Sequence, residues 1–175
     1  MKAFFHSKII FFKKDTQSLT SVKNDCVFTF LSFSELMETS FWKIEYENEY
    51  KSRFHNGNLC AGLKSNNEIV HISWIARNAL FINEIEKLYI IPQDSFLIYD
   101  VVTKESERGK GFYPFMLSCL LNWRNENNLI NALIFSESIN SSSIKGIKKA
   151  DFKITGSISL LKVFGIKFYS KRNNN

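Results

Sequence analysis

Only two prolines and seven glycines interrupt the 175 residues. That scarcity leaves little room for long structureless connections, and it excludes collagen-like, proline-rich and Gly/Ser-rich low-complexity chains. Cysteine is equally sparse. Cys26, Cys60 and Cys119 are odd in number and far apart, so neither a disulfide framework nor a CxxC metal clip is available. A reducing compartment is the expectation. No apolar run reaches the roughly 18 residues of a membrane-spanning helix; the longest mostly apolar stretch, Phe112 to Trp123, is too short. The chain opens Met1-Lys2-Ala3-Phe4-Phe5, as a signal peptide does. His6, Ser7 and Lys8 break that run, Lys13-Lys14-Asp15 follow, and no small-x-small cleavage site appears. The expected location is cytoplasmic.

What is present is an ordinary globular composition, 45% hydrophobic and 23% charged, with seventeen phenylalanines. The length fits one domain spanning residues 1–175. A net charge of +6 and a pI near 9.2 favour anionic partners such as phosphate groups.

Local patterns place the elements. Lys8 to Lys13 reads as a first strand, and Ser34 ahead of Glu35 and Glu38 as a capped helix start. A second helix is expected within Phe41 to His55, closed by the turn Asn56-Gly57-Asn58. Leu59 to Leu63 and Ile69 to Ala76 form two strands around the polar tip Lys64 to Glu68, and another strand runs near Ala79 to Ile91. Phe96 to Thr103 is almost continuously apolar, the pattern of a strand covered on both faces. Phe112, Phe115, Met116, Cys119, Leu120 and Trp123 recur at helical spacing, with Pro114 in the first turn where its missing N–H costs nothing. Leu129 to Phe135 is a second buried strand, so strand, helix and strand imply a parallel crossover. A short helix over Ser141 to Lys149 and strands near Phe152 to Leu161 and Gly165 to Lys171 complete an α/β or α+β chain around a mixed sheet.

The chemistry concentrates between the apolar strand and the long helix, in Lys104-Glu105-Ser106-Glu107-Arg108-Gly109-Lys110-Gly111. Two glycines beside two cations, feeding a helix N-terminus, suit an anion: glycine lets successive N–H groups face a phosphate, and the helix end adds positive partial charge. A solvated turn is the bland alternative. A nucleotide P-loop is excluded, because Phe112 stands where a magnesium-binding hydroxyl is required. A dinucleotide fold is excluded by the loop's late position and by its having only two glycines.

Val101-Val102-Thr103 followed by Arg108-Gly109-Lys110-Gly111 and an apolar helix resembles the acetyl-coenzyme-A-binding core of the GNAT superfamily of N-acetyltransferases, whose loop reads [RQ]-x-x-G-x-[GA]. Arg108 and Gly111 match, while Tyr113 replaces the final small residue. Downstream, Asn140-Ser141-Ser142-Ser143 and then Lys149-Ala150-Asp151-Phe152 resemble the family's N-x-x-[AS]…K-x-G-F signature, with Asp151 in place of glycine. The likeness runs from about Ile69 to Tyr169. The R-G-K-G-F-Y-P variant is also similar to amino-sugar acyltransferases of surface-polysaccharide pathways.

The resemblance implies a single GNAT-like domain: a mixed, mostly antiparallel sheet with a parallel βαβ coenzyme-A-binding core at about 69–170 and an acceptor-side half at about 1–61. It implies an acyl-CoA-dependent N-acetyltransferase using acetyl-CoA and no metal. Val101, Val102 and Thr103 would pair with the pantetheine arm. The N–H groups of Gly109, Lys110, Gly111, Phe112 and Tyr113, with Arg108, would hold the pyrophosphate, and Asn140 and Ser143 would lie near the sulfur. The acceptor would be a small primary amine, with a nucleotide-linked amino sugar preferred over an amino acid, peptide N-terminus or antibiotic. The family's usual proton donor, a tyrosine seven residues after the asparagine, is Ile147 here. Either Tyr113 replaces it, or the coenzyme leaves as thiolate and Tyr113 merely packs. Glu137 is the first candidate base, against a solvated loop carboxylate. Asp100 interrupts an apolar strand and is expected to be hydrogen-bonded structurally; His71 is expected to be a satisfied core histidine. Trp123 belongs to the helix stripe, whereas Trp42 and Trp74 either border the acceptor or pack. The C-terminal cations Lys145, Lys148, Lys149, Lys153, Lys162, Lys167, Lys171 and Arg172 form a solvated face or meet a phosphate. A basic nucleic-acid-binding module and a coenzyme-binding fold without turnover are the rivals, and monomer or homodimer is left open.

Overall fold

The computed structural model describes residues 4–15 and 26–174. Met1 to Ala3, where the leader-like opening begins, lie outside the described residues. Ten strands and four α-helices follow in the order β1 (Phe4–Lys14), β2 (Cys26–Leu31), α1 (Phe33–Met37), α2 (Glu47–His55), β3 (Leu59–Ser65), β4 (Glu68–Ala76), β5 (Ala79–Ile82), β6 (Lys87–Ile90), β7 (Ser95–Thr103), α3 (Phe112–Glu126), β8 (Asn131–Glu137), α4 (Ser141–Lys149), β9 (Lys153–Val163) and β10 (Ile166–Asn173).

Eight strands make one sheet in the order β10-β9-β1-β8-β7-β4-β3-β2, and β5 pairs with β6 apart from it. Every neighbouring pair in the large sheet is antiparallel except β7 and β8, which α3 joins as the expected crossover. The fold is thus α+β on a mixed sheet. β1 lies between β8 and β9 in this sheet.

Both faces are covered. α3 and α4 bury Phe12, Ile75, Phe96, Met116, Leu120 and Phe152 on one side. On the other, α1 and α2 close over Leu36, Tyr50, Trp74 and Leu97. The β5–β6 hairpin seals Ile9, Phe11, Ile82, Ile85 and Leu160. Trp123 packs between Phe30 and Phe96, as its place in the helix stripe requires. The buried side of α3 is broader than that stripe and also takes in Leu117, Leu121 and Arg124.

Two local expectations change. Ser32, not Ser34, caps α1: its hydroxyl accepts from the Glu35 N–H at 3.2 Å, while the Glu35 carboxylate accepts from the Ser32 N–H at 2.7 Å. The reciprocal bond outweighs the nearer serine. The single strand over Ala79 to Ile91 is a hairpin, with a 3-10 turn at Asn83–Ile85 and Glu86 at φ 45°. Its inward side chains Leu80, Ile82, Ile85 and Tyr89 pack on the core, so burial decides the fold of a segment that carries no Gly-type turn signal.

Arg124 is buried, and its Nη1 donates at 3.2 Å to the carbonyls of both Lys14 and Ile130, tying α3 to the end of β1. Arg124→Met strands those acceptors and should lower stability by about 1–3 kcal/mol, read as a shift in the urea midpoint at unchanged slope.

Candidate functional site: a cleft where two parallel strands part

Parallel pairing between β7 and β8 runs from Ser95↔Asn131 to Ile98↔Ile134 and ends there. Beyond it β8 continues on β1, through Phe135, Ser136 and Glu137. β7 continues on β4, through Val102 and Thr103. The strand therefore does not stay covered on both faces as its composition predicts: Ser95 to Tyr99 are buried, and Asp100 to Thr103 are not. The opening is a cleft of about 1950 Å³.

Asp100 sits at the divergence with φ 45°, a left-handed conformation that aspartate tolerates better than most residues. The β4–β7 register slips there, between Ile72 and Trp74. Asp100 is exposed, not buried, and its carboxylate accepts from Arg53 Nη1 at 2.6 Å; Arg53 Nη2 donates to Glu49 at 2.5 Å. The Arg53 guanidinium lies 4.8 Å from the Trp74 ring and 5.2 Å from that of Tyr99. Trp74 is wholly buried beneath it, and neither Trp74 nor Trp42 lines the cleft.

One arm of the cleft is the glycine loop. Gly109 (φ 77°) and Gly111 (φ 82°) both take left-handed backbone, and Gly111 is the N-cap of α3 with no side-chain cap. The helix start thus presents its positive end without a competing oxygen. The loop cations are engaged locally: Lys110 Nζ pairs with Glu107 at 2.9 Å, and Arg108 lies 3.7 Å from Glu105. Val101, Val102, Thr103, Arg108, Gly109, Gly111, Phe112, Tyr113, Glu137, Asn140 and Ser143 all line the cleft; Lys110 does not. Of the C-terminal cations only Lys149 reaches it. Lys162 and Lys167 pair with Glu86, and Lys153 with Asp151.

Tyr113 fills the position of the expected small residue by leaning on α4. Its hydroxyl lies 3.5 Å from Ser143 Oγ, and a Cβ at Gly146 would come within 2.6 Å of its ring. Burial pushes its phenol up to about 12, so it holds its proton at neutral pH. Asn140 is committed to capping α4, its Oδ1 accepting from the Ser143 N–H at 3.1 Å. Ile147 is fully buried in the core.

The opposite arm holds a carboxylate that motif reading missed. Glu84, in the turn of the β5–β6 hairpin, lines the cleft with Asp100 and Glu137. Partial burial raises its pKa first, and the neighbouring Glu137 and Asp100 charges raise it further. Among the described residues no cation pairs with Glu84 or Glu137. Nothing in the sequence marks Glu84, because its turn was hidden within an apparent strand.

His71 lies under the floor of the cleft, fully buried. Its Nδ1 is 2.7 Å from Thr103 Oγ1 and its Nε2 is 3.3 Å from Ser73 Oγ. It is the satisfied core histidine the sequence implies.

No family model matches the chain, and no curated protein matches it. Solved structures do. A GNAT-family acetyltransferase from Colwellia psychrerythraea aligns over 89% of this chain at 13% identity and a TM-score of 0.61; the chain spans about half, 55%, of that protein. A GNAT-family putative acetyltransferase from Novosphingobium aromaticivorans aligns over 98% of this chain and 69% of its own, at 10% identity and a TM-score of 0.60. An aminoglycoside acetyltransferase from an uncultured soil metagenomic sample, in complex with sisomicin, aligns over 74% of this chain and 90% of its own, at 11% identity and a TM-score of 0.53. At these identities the likeness shows the fold: the chain has the GNAT fold expected from its motifs.

Desolvation holds the His71 pKa down to about 3 from an ordinary 6.5, so the folded protein keeps the ring neutral while the unfolded chain takes up a proton. Stability is then flat above pH 6.5 and falls as pH drops through the window toward 3. Between pH 7 and pH 4.5 this histidine should account for about 2–3 kcal/mol of lost stability. Urea midpoints of the wild type and His71→Asn at the two pH values measure it, the variant lacking that part of the fall.

Proposed function

We propose that the chain is an acyl-CoA-dependent N-acyltransferase, most simply an acetyltransferase, acting on a small primary amine. The observation that carries this reading is the parting of β7 from β8 beside a helix start framed by two left-handed glycines, with carboxylates on the far wall. Acetyl-CoA, the cosubstrate, supplies a thioester whose acyl group the amine takes by direct attack. The exposed β7 segment from Val101 to Thr103 offers backbone to the pantetheine as an added strand. The loop N–H groups and Arg108 hold the pyrophosphate. Fixing both reactants in one cleft makes their encounter effectively intramolecular. A backbone N–H near Val101 or Val102 stabilises the carbonyl oxygen as it gains charge.

Two protons must move. Tyr113, kept protonated by burial and placed beside Ser143, is the donor toward the departing sulfur. Glu84 is the base for the ammonium, with Glu137 beside it. A raised carboxylate pKa brings a base closer to the operating pH, which is what proton abstraction requires.

The acceptor wall favours a compact cationic amine. Arg53 is used by Glu49 and Asp100, which leaves Glu84 and Glu137 to attract an ammonium. A nucleotide-linked amino sugar brings a diphosphate, for which Lys43, near the Tyr46 ring, is the wall's remaining cation. The solved neighbour bound to sisomicin is an aminoglycoside acetyltransferase, consistent with a polyamine-like acceptor. The buried Ile147 in place of the family's tyrosine favours a second reading, a coenzyme-binding protein without turnover. Release of free thiol in the presence of amines separates the two.

Arg108→Glu combined with Gly111→Asp should reduce acetyl-CoA affinity about a hundredfold or more in calorimetry, with far-UV circular dichroism showing that the variant is still folded; retained binding overturns the placement. For turnover, the acceptor kcat/KM should rise with pH through a value above the ordinary glutamate range. Glu84→Gln should remove that limb and lower kcat by about 100-fold or more, leaving the KM for acetyl-CoA unchanged. If Glu137→Gln alone removes the limb, Glu137 is the base.

A further inference from the structure

The end of the sheet farthest from β2 carries an apolar face that no element of the described chain covers. The antiparallel registers set its rows: Phe4, Val163 and Ile166 stand side by side across β1, β9 and β10, then His6, Leu161 and Phe168, then Lys8, Ser159 and Ser170. Phe4 is 65% exposed, Ile166 63% and Phe168 54%. Phe164, at the tip of the β9–β10 turn, is 73% exposed and packs its ring 5.9 Å from that of Phe4. It does so with φ 47°, a conformation that bulky side chains avoid, so strain is spent to keep an aromatic ring in water. The reverse face of the same strands is tied to the β5–β6 hairpin: Lys162 and Lys167 pair with Glu86, and the Tyr169 hydroxyl donates to the Glu86 carbonyl.

We propose that this face is closed by a second copy of the chain, packed sheet on sheet about a two-fold axis near Leu161 and Phe168. The area fits. Phe4, Phe164, Leu161, Ile166 and Phe168 leave on the order of 500 Å² of apolar surface in water, the top of the range an isolated monomer keeps open. With its polar rim the face reaches the roughly 800 Å² per partner of a standard interface. Its pattern is also self-complementary. The apolar rows lie at the turn end and the cations Lys8 and Arg172 lie further along the strands, so a two-fold axis through the apolar rows carries the cations of the two copies to opposite, solvated ends. An anionic bilayer would need free cations beside the apolar tip. The lysines nearest that tip, Lys162 and Lys167, point to the other face and share the Glu86 carboxylate there.

The dimer borders the proposed coenzyme site. The Ser138 N–H donates to the Lys8 carbonyl, which places Ile139, 84% exposed, beside β1 and next in sequence to Asn140.

Light scattering coupled to gel filtration tests the assignment. At micromolar concentration the wild type should have twice the 20.4 kDa of one chain. Phe168→Glu and, separately, Ile166→Lys should give that single-chain mass, with far-UV circular dichroism unchanged. Both positions are exposed and so place no charge in the core. A wild type that stays monomeric, or variants that remain dimeric, overturns the proposal. A monomeric wild type that floats with vesicles containing anionic phospholipid overturns it in favour of a membrane surface.

Discussion

Asp100 leaves the regular β path, and the cleft exists because it does. A parallel pair that stayed in register would bury Val101 to Thr103 against β8 and leave no backbone for a ligand to meet. The left-handed residue is exposed and would be free to relax, except that Arg53 grips its carboxylate from α2. Burial works most strongly against the Arg53 charge, and Asp100, Tyr99 and Glu49 together outweigh it, so the guanidinium stays ionised while stacked on Trp74 and Tyr99. One ion pair thereby couples α2 to β7 at the edge of the cleft. Removing either partner leaves the other's charge uncompensated, and with Asp100 partly exposed the pair holds geometry more than it adds net stability.

The legible parts of the fold were those with a strong period or a strong exclusion. The α3 stripe, the apolar runs of β7 and β8 and the α4 boundaries follow from residue spacing, and the glycine loop follows from two residues that tolerate left-handed backbone. The rest depended on partners distant in the chain. The capping serine of α1 is decided by which hydroxyl Glu35 can answer. The β5–β6 hairpin is decided by what Leu80 and Ile82 find to pack against, and Glu84 acquires its character only when that turn is folded over Glu137 and Asp100. No local rule could place β1 between β8 and β9, since strand order is a tertiary choice.

Departures from the family pattern are matched by compensations nearby. Tyr113 occupies a small residue's position, and Gly146 on the facing helix supplies the space its ring needs. Asp151 stands where glycine is usual and still adopts φ 62°, with Lys153 and the buried Lys14 beside its carboxylate. Lys14 also donates to the Ala150 carbonyl at the end of α4, so the C-terminal turn of that helix is satisfied from β1. Ile147 has no such substitute: it is simply core.

The position of β1 also bears on how the chain is made. β1 pairs with β8 and β9, which follow it by more than a hundred residues. Until these strands are made, Ile9, Phe11 and Phe12 have no sheet partners, and the nascent chain carries a sticky apolar strand while the intervening residues are synthesised. Closing so long a loop is slow, and in that interval a holdase that binds extended apolar segments has a well-exposed target in β1.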